Sequence, residues 1–140
     1  NKRMSIDQDI VKIIPKTEDR VYFFTNENNQ GFFYMYYTNA NSKVEMHSIP
    51  TGQIYDAISI TSDFLLIAHE TGLLSYTYGN NSLVNIIPGQ QFSRLKYDQL
   101  NGIVLASIGN QLRYYNTSGT TLGVVNHSVN IDDFYLYYNK

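Results

Sequence analysis

Leu66-Ile67-Ala68-His69-Glu70-Thr71-Gly72-Leu73-Leu74-Ser75-Tyr76 is answered 38 residues later by Val104-Leu105-Ala106-Ser107-Ile108-Gly109-Asn110-Gln111-Leu112-Arg113-Tyr114. In each stretch an apolar strand meets a tight turn, and a second strand follows that ends in tyrosine. A period of about 40 residues in a chain of short strands is the spacing of propeller blades. The repeat therefore decides the fold class before any single residue suggests a chemistry.

Working outward, short apolar or alternating runs cover the whole chain, and none has the 3.6-residue spacing of an amphipathic helix. Strands are predicted at 10–14, 20–25, 31–37 and 43–48, at 55–60, 64–69, 73–78 and 83–87, and at 92–97, 103–108, 111–115 and 121–125. An extra strand is predicted at 131–138. The turns divide into two grades. Asn101-Gly102, Gly109-Asn110, Thr71-Gly72 and Ser118-Gly119 suit hairpins, whereas Pro50-Thr51-Gly52 and Pro88-Gly89 fall where one sheet hands over to the next. The expected fold is all-β and propeller-like, with three four-stranded antiparallel blades at about 10–48, 55–87 and 92–125. The three blades and the extra strand fall short of a ring, so the chain reads as a single propeller segment, 1–140, of a larger propeller. Ala68 and Ala106 align as small residues that let neighbouring sheets approach, and Tyr76 aligns with Tyr114.

Composition narrows the function. The 140 residues are 43% hydrophobic and carry a formal net charge of −2, with ten basic residues scattered along the chain. That balance speaks against nucleic acid as a partner. No run of about 18 apolar residues is present, so no membrane insertion is expected. With no cysteine there is neither a disulfide framework nor a thiolate site. The lack of cysteine, the few charges and the wealth of Tyr and Asn favour an extracytoplasmic setting. The first residue is Asn1 rather than methionine, which suggests a processed chain, a trimmed one or a piece of something longer.

The stretch Phe64-Leu65-Leu66-Ile67-Ala68-His69-Glu70-Thr71-Gly72-Leu73-Leu74-Ser75-Tyr76 resembles the apolar-strand, Gly-Leu-x-x-Tyr core of regulator-type propeller repeats, within the wider WD-repeat superfamily. The resemblance covers about 70 residues of the second and third units. Tyr114-Tyr115-Asn116 stands where many WD repeats have Trp-Asp. The resemblance implies a fold, and it brings no catalytic residues with it.

Chemistry-bearing clusters are sparse. His47, His69 and His127 lie in different units without metal-ligand spacing, so no metal and no cofactor is expected. His69-Glu70 ends a strand at a turn, where a polar, solvent-facing pair could bind a partner. Glu18-Asp19 and Asp132-Asp133 are adjacent and would point to opposite faces of a strand, so neither makes a two-carboxylate device. Tyr34, Tyr36 and Tyr76 are expected in the core. Tyr37, Tyr115 and Tyr138 lie near strand ends, where a ring can be displayed to a sugar or a protein surface. The binding candidates are therefore Tyr37, His69, Glu70, Tyr115 and Tyr138. The leading expectation is a non-enzymatic scaffold that binds a protein partner or the remaining blades of a longer chain. A sensor domain recognising carbohydrate or peptide is the alternative. A propeller lyase or hydrolase would need His, Asp or Arg from several blades at one mouth. A closed ligand barrel or a β-sandwich would have similar composition but no repeat.

Overall fold

The computed structural model describes residues 9–49 and 52–135. Twelve strands form three four-stranded antiparallel sheets, each a meander in chain order. Blade 1 comprises β1 (Asp9–Thr17), β2 (Arg20–Glu27), β3 (Gln30–Tyr37) and β4 (Ser42–Ile49). Blade 2 comprises β5 (Ile54–Thr61), β6 (Phe64–His69), β7 (Gly72–Thr77) and β8 (Ser82–Pro88), with a single 3-10 turn at Tyr78–Asn80. Blade 3 comprises β9 (Arg94–Asp98), β10 (Ile103–Ile108), β11 (Gln111–Tyr115) and β12 (Thr121–Asn126). The propeller-like fold expected from the repeat is present, and the sheets do not close into a ring.

Alternation explains the packing. On a pleated strand, successive side chains point to opposite faces, so each blade can give one face to each neighbour. Tyr22, Phe24, Phe33 and Met35 of blade 1 meet Ala57, Leu65, Ile67, Leu74 and Tyr76 of blade 2 in one core. The opposite face of blade 2, with Leu66, Ala68 and Leu73, meets Leu95, Val104, Ala106 and Tyr115 of blade 3, with Phe92 between. The first strands β1, β5 and β9 are neighbours along the axial side, β1 beside β5 and β5 beside β9.

This packing corrects the repeat by one residue. The β6–β7 hairpin turns at Glu70-Thr71, and the β10–β11 hairpin turns at Gly109-Asn110, where Gly109 has a φ of +57°. Aligned at these turns, the blades repeat at 39 residues, which places Tyr115 rather than Tyr114 opposite Tyr76. Burial agrees, because Tyr76 and Tyr115 both lie in cores facing the preceding blade. Ala68 and Ala106, equated at a spacing of 38, instead enter the same interface from opposite blades. A slip of one residue turns every side chain to the other face. In blade 1 the turn falls at Asn28-Asn29, and Tyr34 takes the place of Tyr76. There Phe23 stacks on Tyr34 at 4.9 Å, on the face away from blade 2.

The extra strand departs from expectation. Of 131–138, residues 131–135 form no strand, and 136–138, with Tyr138, lie outside the described residues, as do Pro50 and Thr51. Arg94 rather than Phe92 opens the first strand of blade 3, because Phe92 is fully buried as a core side chain ahead of it. After β12 the chain returns inward across the β10–β11 turn. His127 N donates to the Asn110 carbonyl at 2.7 Å, and Ile131 N donates to the Gly109 carbonyl at 2.8 Å.

Candidate functional site: an axial groove lined by three blades

The N-terminal ends of β1, β5 and β9 gather at the end of the molecule that also holds the β2–β3, β6–β7 and β10–β11 turns. Asp56 organises this end. Its carboxylate is buried and would be costly there without partners. Oδ1 accepts from Ala57 N at 2.9 Å and lies 3.3 Å from Lys12 Nζ of β1, while Oδ2 accepts from Leu95 N of β9 at 2.8 Å. One side chain thus ties all three inner strands together.

Asp133 repeats part of this arrangement. Its Oδ1 accepts from Phe134 N at 2.8 Å and lies 3.9 Å from Lys96 Nζ of β9. Lys96 pairs with Leu105 as Lys12 pairs with Phe24, so the two lysines hold the same register position in their blades. At the intervening step Ile58 fills the lysine position and Arg94 fills the aspartate position, since Asp56 pairs with Ala68 and Arg94 with Ser107. A lysine is followed by an aspartate twice, and an isoleucine by an arginine once.

Between these groups lies an open groove of about 470 Å³, lined by Val11, Lys12, Ile54, Tyr55, Asp56, Arg94, Lys96 and Asp133. It holds three cationic and two anionic side chains. Both anions are already matched to lysines. The Arg94 guanidinium donates to the Ser93 carbonyl at 2.8 Å and faces no carboxylate within ion-pair distance among the described residues. Tyr55 forms part of the wall. Its hydroxyl pKa is raised by burial first and by the neighbouring Glu70 carboxylate second.

The expected site residues fall in different places. His69 is fully buried, which overturns the reading of a solvent-facing polar position. Thr71 N can only donate, and it does so to Nδ1 at 3.1 Å, so the ring proton sits on Nε2 and is donated to the Gly52 carbonyl at 3.0 Å. The Thr71 hydroxyl is also 2.8 Å from Nδ1. Burial lowers the His69 pKa, against a smaller raising effect of the Gly52 carbonyl and Glu70. The Gly52 carbonyl also accepts from Gly31 N of β3 at 2.9 Å. His69 is therefore a latch on the link between blades 1 and 2. Its two-sided bonding leaves no lone pair for a metal or a substrate.

Glu70 is exposed at the β6–β7 turn, 3.4 Å from Gln53 N and beside Tyr55, so it flanks the groove. Tyr115 is 2% exposed and packs edge-on to Phe92 at 5.7 Å, contrary to the expectation of a displayed ring. Tyr37 is half-buried against the first core, with the Arg20 guanidinium 5.8 Å from its ring centre. Of the four candidates among the described residues, the structure brings only Glu70 to the groove. Sequence reading missed Lys12, Tyr55, Asp56, Arg94 and Lys96. The available signal was a charge inside an apolar strand, Asp56 in Ile54-Tyr55-Asp56-Ala57-Ile58, at a position that alternation buries. No group of three or more His, Asp or Glu among the described residues could hold a metal ion, and no helix among them is long and apolar enough to cross a membrane.

No protein-family model matches the chain, and no curated protein matches its sequence. Solved structures do match its fold. The extracellular domain of BT4673 from B. thetaiotaomicron, attributed to a one-component system, is 14% identical with a TM-score of 0.68, over 92% of this chain and 18% of that one. U3-55K is 10% identical with a TM-score of 0.69, over 90% of this chain and 42% of that one. The extracellular domain of BT3049 from B. thetaiotaomicron, attributed to a hybrid two-component system, is 16% identical with a TM-score of 0.63, over 81% of this chain and 16% of that one. The chain thus spans well under two thirds of each match. At these identities the likeness supports a propeller-type fold alone.

Proposed function

We propose that this chain is part of a non-enzymatic, propeller-type recognition domain that holds a small ligand in the groove at the axial end of its inner strands. The observation that carries this reading is the origin of the groove walls. Lys12 comes from blade 1, Tyr55 and Asp56 from blade 2, and Arg94 and Lys96 from blade 3. A ligand seated there would touch three sheets at once and would report on their relative placement. A volume of about 470 Å³ lies within the ordinary range of small-molecule sites. The groups best suited to acid or base chemistry, His69 and Asp56, are already committed to hydrogen bonds within the fold. Two of the structural neighbours are extracellular domains attributed to one- and two-component systems, and this favours a sensor over a purely structural scaffold.

An NMR-detected titration with sugars and short peptides tests the reading. The expected result is a saturable shift at Tyr55, Arg94 and Lys96. Saturable shifts elsewhere, or none with any probe, would sink it. The scaffold reading keeps one supporting observation: Leu122, Val124 and Val125 are exposed on the edge strand β12. A protein partner held there would lose affinity on Val124→Asp, with groove ligands unaffected.

A further inference from the structure

We infer that the ligand of this groove carries an oxyanion, a carboxylate, sulfate or phosphate group, that seats on Arg94. The inference rests on the groove being a recognition site and adds the chemistry of what it recognises.

Charges are matched from strand to strand along the inner side of the blades. At two inter-blade steps a lysine on one inner strand is answered by an aspartate on the next element, Lys12 by Asp56 and Lys96 by Asp133. At the step between them Ile58 offers no charge, and the aspartate position is held by Arg94. Among the lining side chains three cations face two anions, with the Glu70 carboxylate outside them beside Tyr55, and Arg94 is the lining cation that meets no carboxylate of the described residues within ion-pair distance.

Asp56 cannot turn to serve Arg94. Both of its oxygens are held by main-chain amides, one in β5 and one in β9, and the first is also close to Lys12. Asp133 is tied through Oδ1 to Phe134 N and Lys96. Arg94 is exposed and, among the described residues, its guanidinium spends one donor, on the Ser93 carbonyl, so a pair of N–H groups is left to form a two-point contact with an oxyanion. Lys96 lies two residues along β9 with its side chain on the same face as Arg94, so the two line one wall of the groove, with the Lys96 charge balanced by Asp133. A neutral sugar or peptide would leave that fork unmatched.

The test compares matched probes on the 140-residue chain: glucuronic acid, glucose 6-sulfate and glucose 6-phosphate against glucose, each followed by NMR and calorimetry. At least one acidic sugar should bind and shift Arg94 and Tyr55, with glucose weaker by about tenfold or more, as a charge-assisted contact implies. Which acid binds best identifies the oxyanion. Arg94→Gln should weaken that acid about 10- to 100-fold and weaken glucose much less. Arg94→Lys should fall between, having the charge without the fork. Arg94 is exposed, so these variants should keep the wild-type amide spectrum away from the groove. Equal affinity for glucose and its acids, or an Arg94→Gln variant that binds the acid as wild type does, would overturn the oxyanion while leaving the recognition reading intact. Absence of groove shifts with every probe, neutral or acidic, would overturn both.

Discussion

The interface between blades 1 and 2 and the interface between blades 2 and 3 are built from corresponding strand positions but are held in different ways. The first is aromatic and polar at once. Phe33 lies 4.6 Å from Tyr76 and 4.6 Å from Phe24, and around these rings the Asn26 amide makes two 2.8 Å bonds to the main chain of Ile54. Tyr22 Oη donates to the Ser62 carbonyl at 2.6 Å, and Lys16, ion-paired with Asp63, lies 4.0 Å from the ring centre of Tyr78. The second interface is mostly aliphatic, with Ala68 and Ala106 in one cluster, and its main directional links among the described residues are the Asp56–Leu95 bond and a 3.3 Å contact of Arg113 with Gln90. Apolar burial is non-directional, whereas paired hydrogen bonds fix an angle. Blades 1 and 2 are therefore expected to act as one rigid wedge, with blade 3 anchored to it chiefly through Asp56.

The most severe way to break this comparison is to remove the tyrosine that each interface receives from its following blade. Tyr76→Ala should cost about 3–5 kcal/mol, the scale for deleting a large buried ring. Tyr76 meets Phe33, Tyr22 and His47 edge-on, and its hydroxyl donates to Asn81 Oδ1 at 2.8 Å. Tyr115→Ala removes one ring pair, with Phe92, and should cost less by about 1 kcal/mol or more. Urea unfolding of both variants measures the difference. Equal losses would deny the first interface its greater strength.

Asp56→Ala probes the anchor of blade 3. It strips the acceptor from two buried amides and leaves Lys12 without its partner, for an expected loss of about 2–4 kcal/mol. Hydrogen exchange adds the regional test. The Leu95 amide and the β9–β10 ladder should exchange faster, while the β2–β3 ladder keeps its protection. Uniform loss of protection across the three blades would mean that Asp56 holds the whole fold rather than one joint.

How much of this was legible in the sequence follows from the same contrast. Strand and turn chemistry repeat locally, so the three blades could be read from alternation and from turns such as Gly109-Asn110. The register between copies could not, because Ala68 and Ala106 match as letters while they enter one interface from opposite blades. Two adjacent tyrosines, Tyr114 and Tyr115, left the alignment free to slip by one. The groove was less legible still. Its residues are scattered at positions 12, 55, 56, 94 and 96, and they converge only because three first strands meet along one side. His69 misled for a related reason, since nothing near it in sequence discloses that the Gly52 carbonyl meets its Nε2.

Gly52 offers a smaller break, confined to the first interface. It has a φ of +114°, and a Cβ there would lie 2.7 Å from Glu70 Cβ. Gly52→Ala should cost about 1–3 kcal/mol through backbone strain and the displacement of the β6–β7 turn. The groove entrance moves with Glu70, so any ligand affinity should drop as well. Thermal unfolding and the Tyr55 resonance read the two effects, and an unchanged midpoint would mean that the link relaxes freely around the new methyl group.

The finest distinction between the interfaces is one of pH. The first contains a titratable latch, His69, and the second has Ile108 at the corresponding position beside its turn. The fold requires His69 neutral, because Nδ1 accepts from Thr71 N while Nε2 donates to the Gly52 carbonyl. Burial holds its pKa in the folded chain below the ordinary 6.5, against the smaller raising effect of the Gly52 carbonyl and Glu70. As pH falls below that ordinary value the unfolded chain takes up a proton that the folded chain refuses, so stability is full above it and declines through the mildly acidic range. His69→Gln can keep a donor toward Gly52 and an acceptor toward Thr71 without titrating. Stability measured from neutral to mildly acidic pH should fall more in wild type than in His69→Gln. Exchange of the Gly31 amide, which shares the Gly52 carbonyl, should quicken in step with the loss, while amides of the β10–β11 ladder stay unaffected. Parallel pH profiles for the two proteins would remove the latch from the account and leave the first interface to its rings and its Asn26 pairing.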